Sequence, residues 1–133
     1  MKKIERIQVL ALVALVFGTL TVFSGGRALF GDAQARAAVG NAVPFVLWFN
    51  FCAGFAYVIT AVGLWRKSPW SKWAATAIAA STALVGAAFA LEVLQGTAYE
   101  LRTALALLLR LAFWTATAVL IRNAWPAAER AQP

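Results

Sequence analysis

Four apolar stretches dominate the chain, at residues 7–23, 44–65, 73–94 and 98–122. Each has the roughly 17–25 residues that a helix needs to cross about 30 Å of hydrocarbon. Charges, Gly and Pro bound them, and they are far too long for strands. The whole chain is 133 residues, 62% hydrophobic and 13% charged, whereas a soluble domain is about half apolar and about a quarter charged. A core this small cannot hide so much apolar surface from water. The expected fold is all-α: an integral membrane four-helix bundle with residues 1–133 as a single transmembrane domain. Its connections are short except for a longer outer loop after the first helix. The lipid bilayer is the expected partner, and disorder, nucleic-acid binding and an ordinary soluble enzyme are excluded.

Net charge is +7, and its placement sets an orientation. Lys2, Lys3, Arg6, Arg66, Lys67, Lys72, Arg122 and Arg130 fall on one side of a strictly alternating four-pass chain. On the other side Arg27, Arg36 and Arg102 are balanced by Asp32, Glu92 and Glu100. Lys/Arg excess marks the cytoplasmic side, so both termini are expected there. Trp65, Trp70, Trp73 and Trp125 lie at that same interface, where an amphipathic indole is favoured. Trp48 falls toward the outer side, and Trp114 sits inside the fourth helix. Lys2, Lys3 and Arg6 before an apolar run also imitate a signal peptide. The run is long for a signal, and the better small-residue site, Ala35-Arg36-Ala37, lies far downstream, so an uncleaved anchor is expected.

Local signals fix the connections. Gly25-Gly26 is expected to end the first helix. Asp32 is placed to cap a short helix over 33–39, and Gly40 to stop it. Ser68-Pro69 makes a tight turn, and Gly96 breaks the third helix from the fourth. Thr97 followed by Glu100 reads as a capping box for the fourth. Small residues at spacings of three and four line one face of each of the first three helices: Ala11, Ala14, Gly18 and Thr21; Ala53, Ala56, Thr60 and Gly63; Ala75, Ala79, Thr82, Gly86 and Ala90. In lipid such faces are the expected packing seams.

Polar groups at membrane depth are costly and need a reason. Arg110 lies near the middle of the fourth helix, with its side chain leaning toward the outer end. Thr103, Arg110 and Thr117 share a face. Trp114 is one turn on, placed to stack on the guanidinium. Glu92 near the end of the third helix is the expected counter-charge. Asn50, Thr19, Thr21, Gln95 and Glu100 also fall in the outer half. Tyr57 and Tyr99 are expected to line the depth and mouth of a polar pocket centred on Arg110. Two readings stay open on these residues. An Arg–Glu pair can lock helix register, or a long side chain can snorkel to head groups. Alternatively, Arg110, Glu92, Asn50, Tyr57, Trp114 and Tyr99 form a ligand site. Cys52 is expected to be a small buried hydrophobe.

The chain has no His, one Cys and one Met. That removes imidazole catalysis, imidazole metal sites, an internal disulfide and cysteine-held clusters. No catalytic residue, metal site or cofactor is expected.

The stretch from Phe17-Gly18 through Gly25-Gly26-Arg27-Ala28-Leu29-Phe30 to Pro44 resembles the DoxX-like family of small bacterial four-helix membrane proteins. The resemblance continues through Gly54, Ala61-Val62-Gly63-Leu64 and the basic turn Arg66-Lys67. It implies a bacterial inner-membrane location and an accessory role near quinone or thiol redox enzymes. The second helix lacks the carboxylate that the family would place there, and Tyr57 lies in that neighbourhood. Small multidrug-resistance exporters fit less well, because no carboxylate lies between Glu5 and Asp32.

The leading expectation is a non-enzymatic binding or accessory protein. Its ligand would be an amphipathic anion, a lipid or a quinone-like molecule, with the anionic or carbonyl end at Arg110. The alternative is an oligomeric small transporter or proton-coupled permease, with Glu92 as proton carrier. A homo-oligomer or a larger membrane complex fits either reading. A membrane enzyme using Arg110 and a tyrosine has least support.

Overall fold

In a computed structural model the described residues are 3–40 and 43–124. Five helices follow in order: α1 (Lys3–Phe30), α2 (Ala33–Val39), α3 (Pro44–Trp65), α4 (Trp70–Leu94) and α5 (Leu101–Ala124). α1, α3, α4 and α5 are long and apolar enough to cross a membrane. No strand occurs among the described residues. Lys2, Trp125 and Arg130, used above for orientation, lie outside them, as does the side chain of Lys3.

α1 and α3 pack most closely, through paired glycines. A Cβ on Gly54 would sit 3.0 Å from the Val22 nitrogen, and one on Gly18 would sit 3.0 Å from the Gly54 carbonyl. The backbones touch where any side chain would hold them apart, as expected when packing rather than water drives association. α4 packs on α3 and α5 on α4, while α1 and α5 touch least. Ile7, Leu64, Ala75 and Ile121 meet in one buried cluster with Tyr57 and Trp114. The start of α1, end of α3, start of α4 and end of α5 therefore share one end of the bundle. Val43, Val46, Phe89 and Leu107 form a second cluster toward the opposite end. Outside this core, large apolar side chains such as Leu20, Leu84, Leu91 and Leu108 lie bare on every long helix but α3, whose outer face shows Ile59 and Phe55 instead. That is the surface hydrocarbon would cover.

Several sequence expectations need correction. Gly25-Gly26 does not end α1. The helix continues to Phe30, because Gly25 admits Phe51: a Cβ there would lie 3.2 Å from the Phe51 Cα. Residues 97–100 are not a capping box. α4 ends with Thr97 N–H donating to the Glu92 carbonyl (3.0 Å) and Gly96 N–H to that of Val93 (3.1 Å), with Gly96 at φ 92°. This six-to-one, five-to-two closure commits Thr97 to finishing α4, and α5 starts only at Leu101. Cys52 is exposed rather than buried, one residue off the Ala53–Tyr57 seam. The third small-residue seam stops at Thr82, for a Cβ on Gly86 would meet nothing within 4 Å.

The expected caps of α2 are present. Asp32 accepts a hydrogen bond from the Ala35 N–H (2.9 Å) at the head of α2, and Gly40 closes it at φ 68°. Trp65, Trp70 and Trp73 are exposed beside Arg66, Lys67 and Lys72, and the Lys72 ammonium lies 5.1 Å from the Trp73 ring centroid. α2 has only seven residues, too few to be stable alone. Asp32→Ala, removing a cap worth about 1 kcal/mol, is expected to strip amide-exchange protection from 35–39 and leave α3–α5 unchanged. Equal loss throughout would show that α2 is not an independent unit.

Candidate functional site

Between α1, α2, α3 and α5 lies a cavity of about 370 Å³. Its lining comes chiefly from α1 and α5, and Ala35 and Ala38 of α2 lie over one end. Arg110 projects into it from α5, Asn50 from α3 and Thr21 from α1. Arg27, Arg102 and Glu100 stand around its mouth.

Arg110 is 8% exposed. Its Nη2 donates to Thr21 Oγ1 at 3.4 Å, and its guanidinium carbon lies 5.3 Å from the Phe17 ring centroid. Thr21 donates in turn to the Phe17 carbonyl (2.7 Å), so one turn of α1 supplies both contacts. No carboxylate pairs with Arg110 among the described residues. Beneath it an aromatic floor is packed solid. Tyr57 and Trp114 pack with their rings tilted and their centroids 4.9 Å apart, and Phe17 meets Phe113 edge-on at 5.9 Å. The Tyr57 hydroxyl lies near Arg110, Trp114 and Thr82.

Four buried polar atoms in this layer have no hydrogen-bond partner among the described residues: Asn50 Oδ1, Tyr57 Oη, Arg110 Nε and Trp114 Nε1. Each such atom costs about 1–3 kcal/mol. Native interiors hold few of them, and a cluster calls for an explanation. Asn50 and Arg110 border the cavity directly. Tyr57 and Trp114, both fully buried, support Arg110 from below.

The sequence-predicted site divides. Arg110 and Asn50 share the cavity, with Tyr57 and Trp114 just behind. Glu92 and Tyr99 are elsewhere. The Glu92 carboxylate accepts the Thr97 hydroxyl (2.9 Å), and Tyr99 packs edge-on against Phe89 (5.8 Å) in an apolar groove between α4 and α5. Arg110 turns toward α1, whereas α4 lies on the other flank of α5, where Leu107 and Leu111 face it. The expected Glu92–Arg110 pair therefore does not form. Phe17, not Trp114, carries the cation–π contact. Sequence reasoning missed Phe17 although it lies one turn from Thr21 on the same face, and it missed Arg27 and Arg102 at the mouth.

Among the described residues no group of three or more acidic, Cys or His side chains is placed to hold a metal. No family model matches the chain, and no curated protein or solved structure matches it.

Proposed function

We propose that this is a binding or accessory protein of a bacterial inner membrane, non-enzymatic, taking an amphipathic anion, lipid or quinone-like molecule by its polar end. The observation that carries the reading is Arg110: a buried cation that borders a cavity, above an aromatic floor and without a counter-charge among the described residues. A guanidinium in low dielectric attracts an anion far more strongly than one in water, and its fork suits phosphate or carboxylate. Asn50 adds a hydrogen-bonding side chain at the same depth. The Lys/Arg bias supports a placement with both termini cytoplasmic and the α2 end outside. The DoxX-like resemblance supports an accessory role but contributes no site residue.

Native mass spectrometry of mildly extracted protein tests this. One anionic amphiphile is expected per chain, and Arg110→Gln is expected to release it. An adduct of unchanged mass and occupancy in the variant would remove the guanidinium from the site.

A further inference from the structure

Resting on that binding-site reading, we infer that the ligand is a phosphate-headed lipid that reaches Arg110 sideways from the bilayer, through a window between α1 and α5.

Size sets the first constraint. At about 30 Å³ per liquid water, a cavity of about 370 Å³ equals about a dozen waters. A phosphoglycerol headgroup of about ten heavy atoms fits in such a space, and acyl chains do not. The tail must lie outside the cavity, and the surroundings determine where.

Contacts across the bundle leave two exits, one past α2 and one between α1 and α5. Below, Phe17 and Phe113 meet at 5.9 Å and join α1 to α5. Above, Arg102 Nη2 donates to the Ala38 carbonyl (3.2 Å) and ties α2 to α5. α3 stands behind, with Asn50 and Leu47 on the lining. Between floor and ceiling the two sides of the α1–α5 gap are small residues, Ser24 and Ala106, both on the lining. Ser24 is exposed and Ala106 half-buried. A tail leaving through this gap runs onto apolar surface such as Leu20 and Leu109, both exposed. A tail leaving past α2 would meet the arginines of the mouth and, beyond them, water.

Charge sets the second constraint. Arg27, Arg102 and Arg110 line the cavity against one carboxylate, Glu100. An excess of cations suits a phosphate better than a neutral carbonyl, and arginine matches phosphate geometry with paired donors.

The test uses the full chain in phosphatidylcholine nanodiscs and two probes, dioleoyl phosphatidic acid and its soluble headgroup analogue glycerol 3-phosphate. Ala106→Trp and Ser24→Trp plug the window from opposite sides. Each is expected to weaken lipid retention at least about tenfold and glycerol 3-phosphate binding by a clearly smaller factor. Ala87→Trp, on the far groove between α4 and α5, is expected to alter neither. Wild-type lipid retention in both window variants would overturn the sideways route, as would an equal fall for both probes. Binding of glycerol 3-phosphate by wild type without lipid retention would assign the site to a free phosphate compound and overturn the lipid assignment. Arg110→Gln separates the two levels. If it keeps both probes, the binding-site reading itself fails. If it loses both while the window variants lose neither, only the route fails.

Discussion

Arg110→Leu is expected to make the protein more stable and to abolish ligand binding. A guanidinium at the centre of a membrane helix costs about 2.5–3.5 kcal/mol on insertion scales, and leucine is slightly favourable there. Among the described residues that cost is offset by one long bond to Thr21, the face of Phe17 and the neighbouring Tyr57 hydroxyl. The Thr21 bond is charge-assisted but long at 3.4 Å, and together with the cation–π contact it contributes about 1–2 kcal/mol. A net gain of about 1–2 kcal/mol in resistance to unfolding follows. Binding of an anionic ligand should fall by about a hundredfold or more, since a charge-assisted bond to a buried group is worth about 1.5–3 kcal/mol and no other deep cation replaces it. Unfolding titrations in mixed micelles read the first effect, and ligand retention reads the second. A strongly destabilised variant would instead mean that Arg110 holds the helices together. Gain of stability with loss of function is the usual sign of a residue kept for what it binds.

Gly54→Leu is expected to have the largest effect on folding. Its first side-chain carbon alone would lie 2.8 Å from Val22 Cγ2 and 3.0 Å from the Val22 nitrogen. The second neighbour is backbone, so relief requires α1 to move as a body. Overpacking commonly costs about 1–3 kcal/mol, and a leucine against a helix backbone should reach or exceed the top of that range. Phe17 and Thr21 sit on the same length of α1, so the variant should also release Arg110 and expose Trp114. Red-shifted indole emission would accompany lost stability. Wild-type stability in Gly54→Leu would contradict the close approach of α1 and α3. Gly54→Ala should give a smaller loss in the same direction.

The helices were legible because hydrocarbon thickness and the 3.6-residue turn leave so little choice. Four long apolar runs, Asp32 with Gly40, and Gly96 carried α2–α5 to within a few residues, whereas α1 begins four residues before and ends seven residues after the apolar run at 7–23. The failures came where one residue serves two neighbours. Gly25 looked like a stop in one dimension, yet it makes room for Phe51 in three. Thr97 had the identity and spacing of a cap, but the close of α4 claimed it first. Arg110 was legible as a costly group that must turn inward, and Asn50, Tyr57 and Trp114 as its neighbours. Glu92 was not legible as an outsider, because spacing along α4 and α5 does not say which flank of α5 faces α4. That depends on the order of helices around the bundle, which pairwise patterns leave open.

The weak seam between α1 and α5 has a mechanical corollary. α1 with α3, and α4 with α5, form two hairpins joined chiefly through α3 and α4. Across the open edge Arg110 reaches from one hairpin to Thr21 on the other. A guest seated there would touch both hairpins at once and act as a clasp. Occupancy should then stiffen the assembly and delay its melting by mass action, and the vacated form should breathe most along that edge.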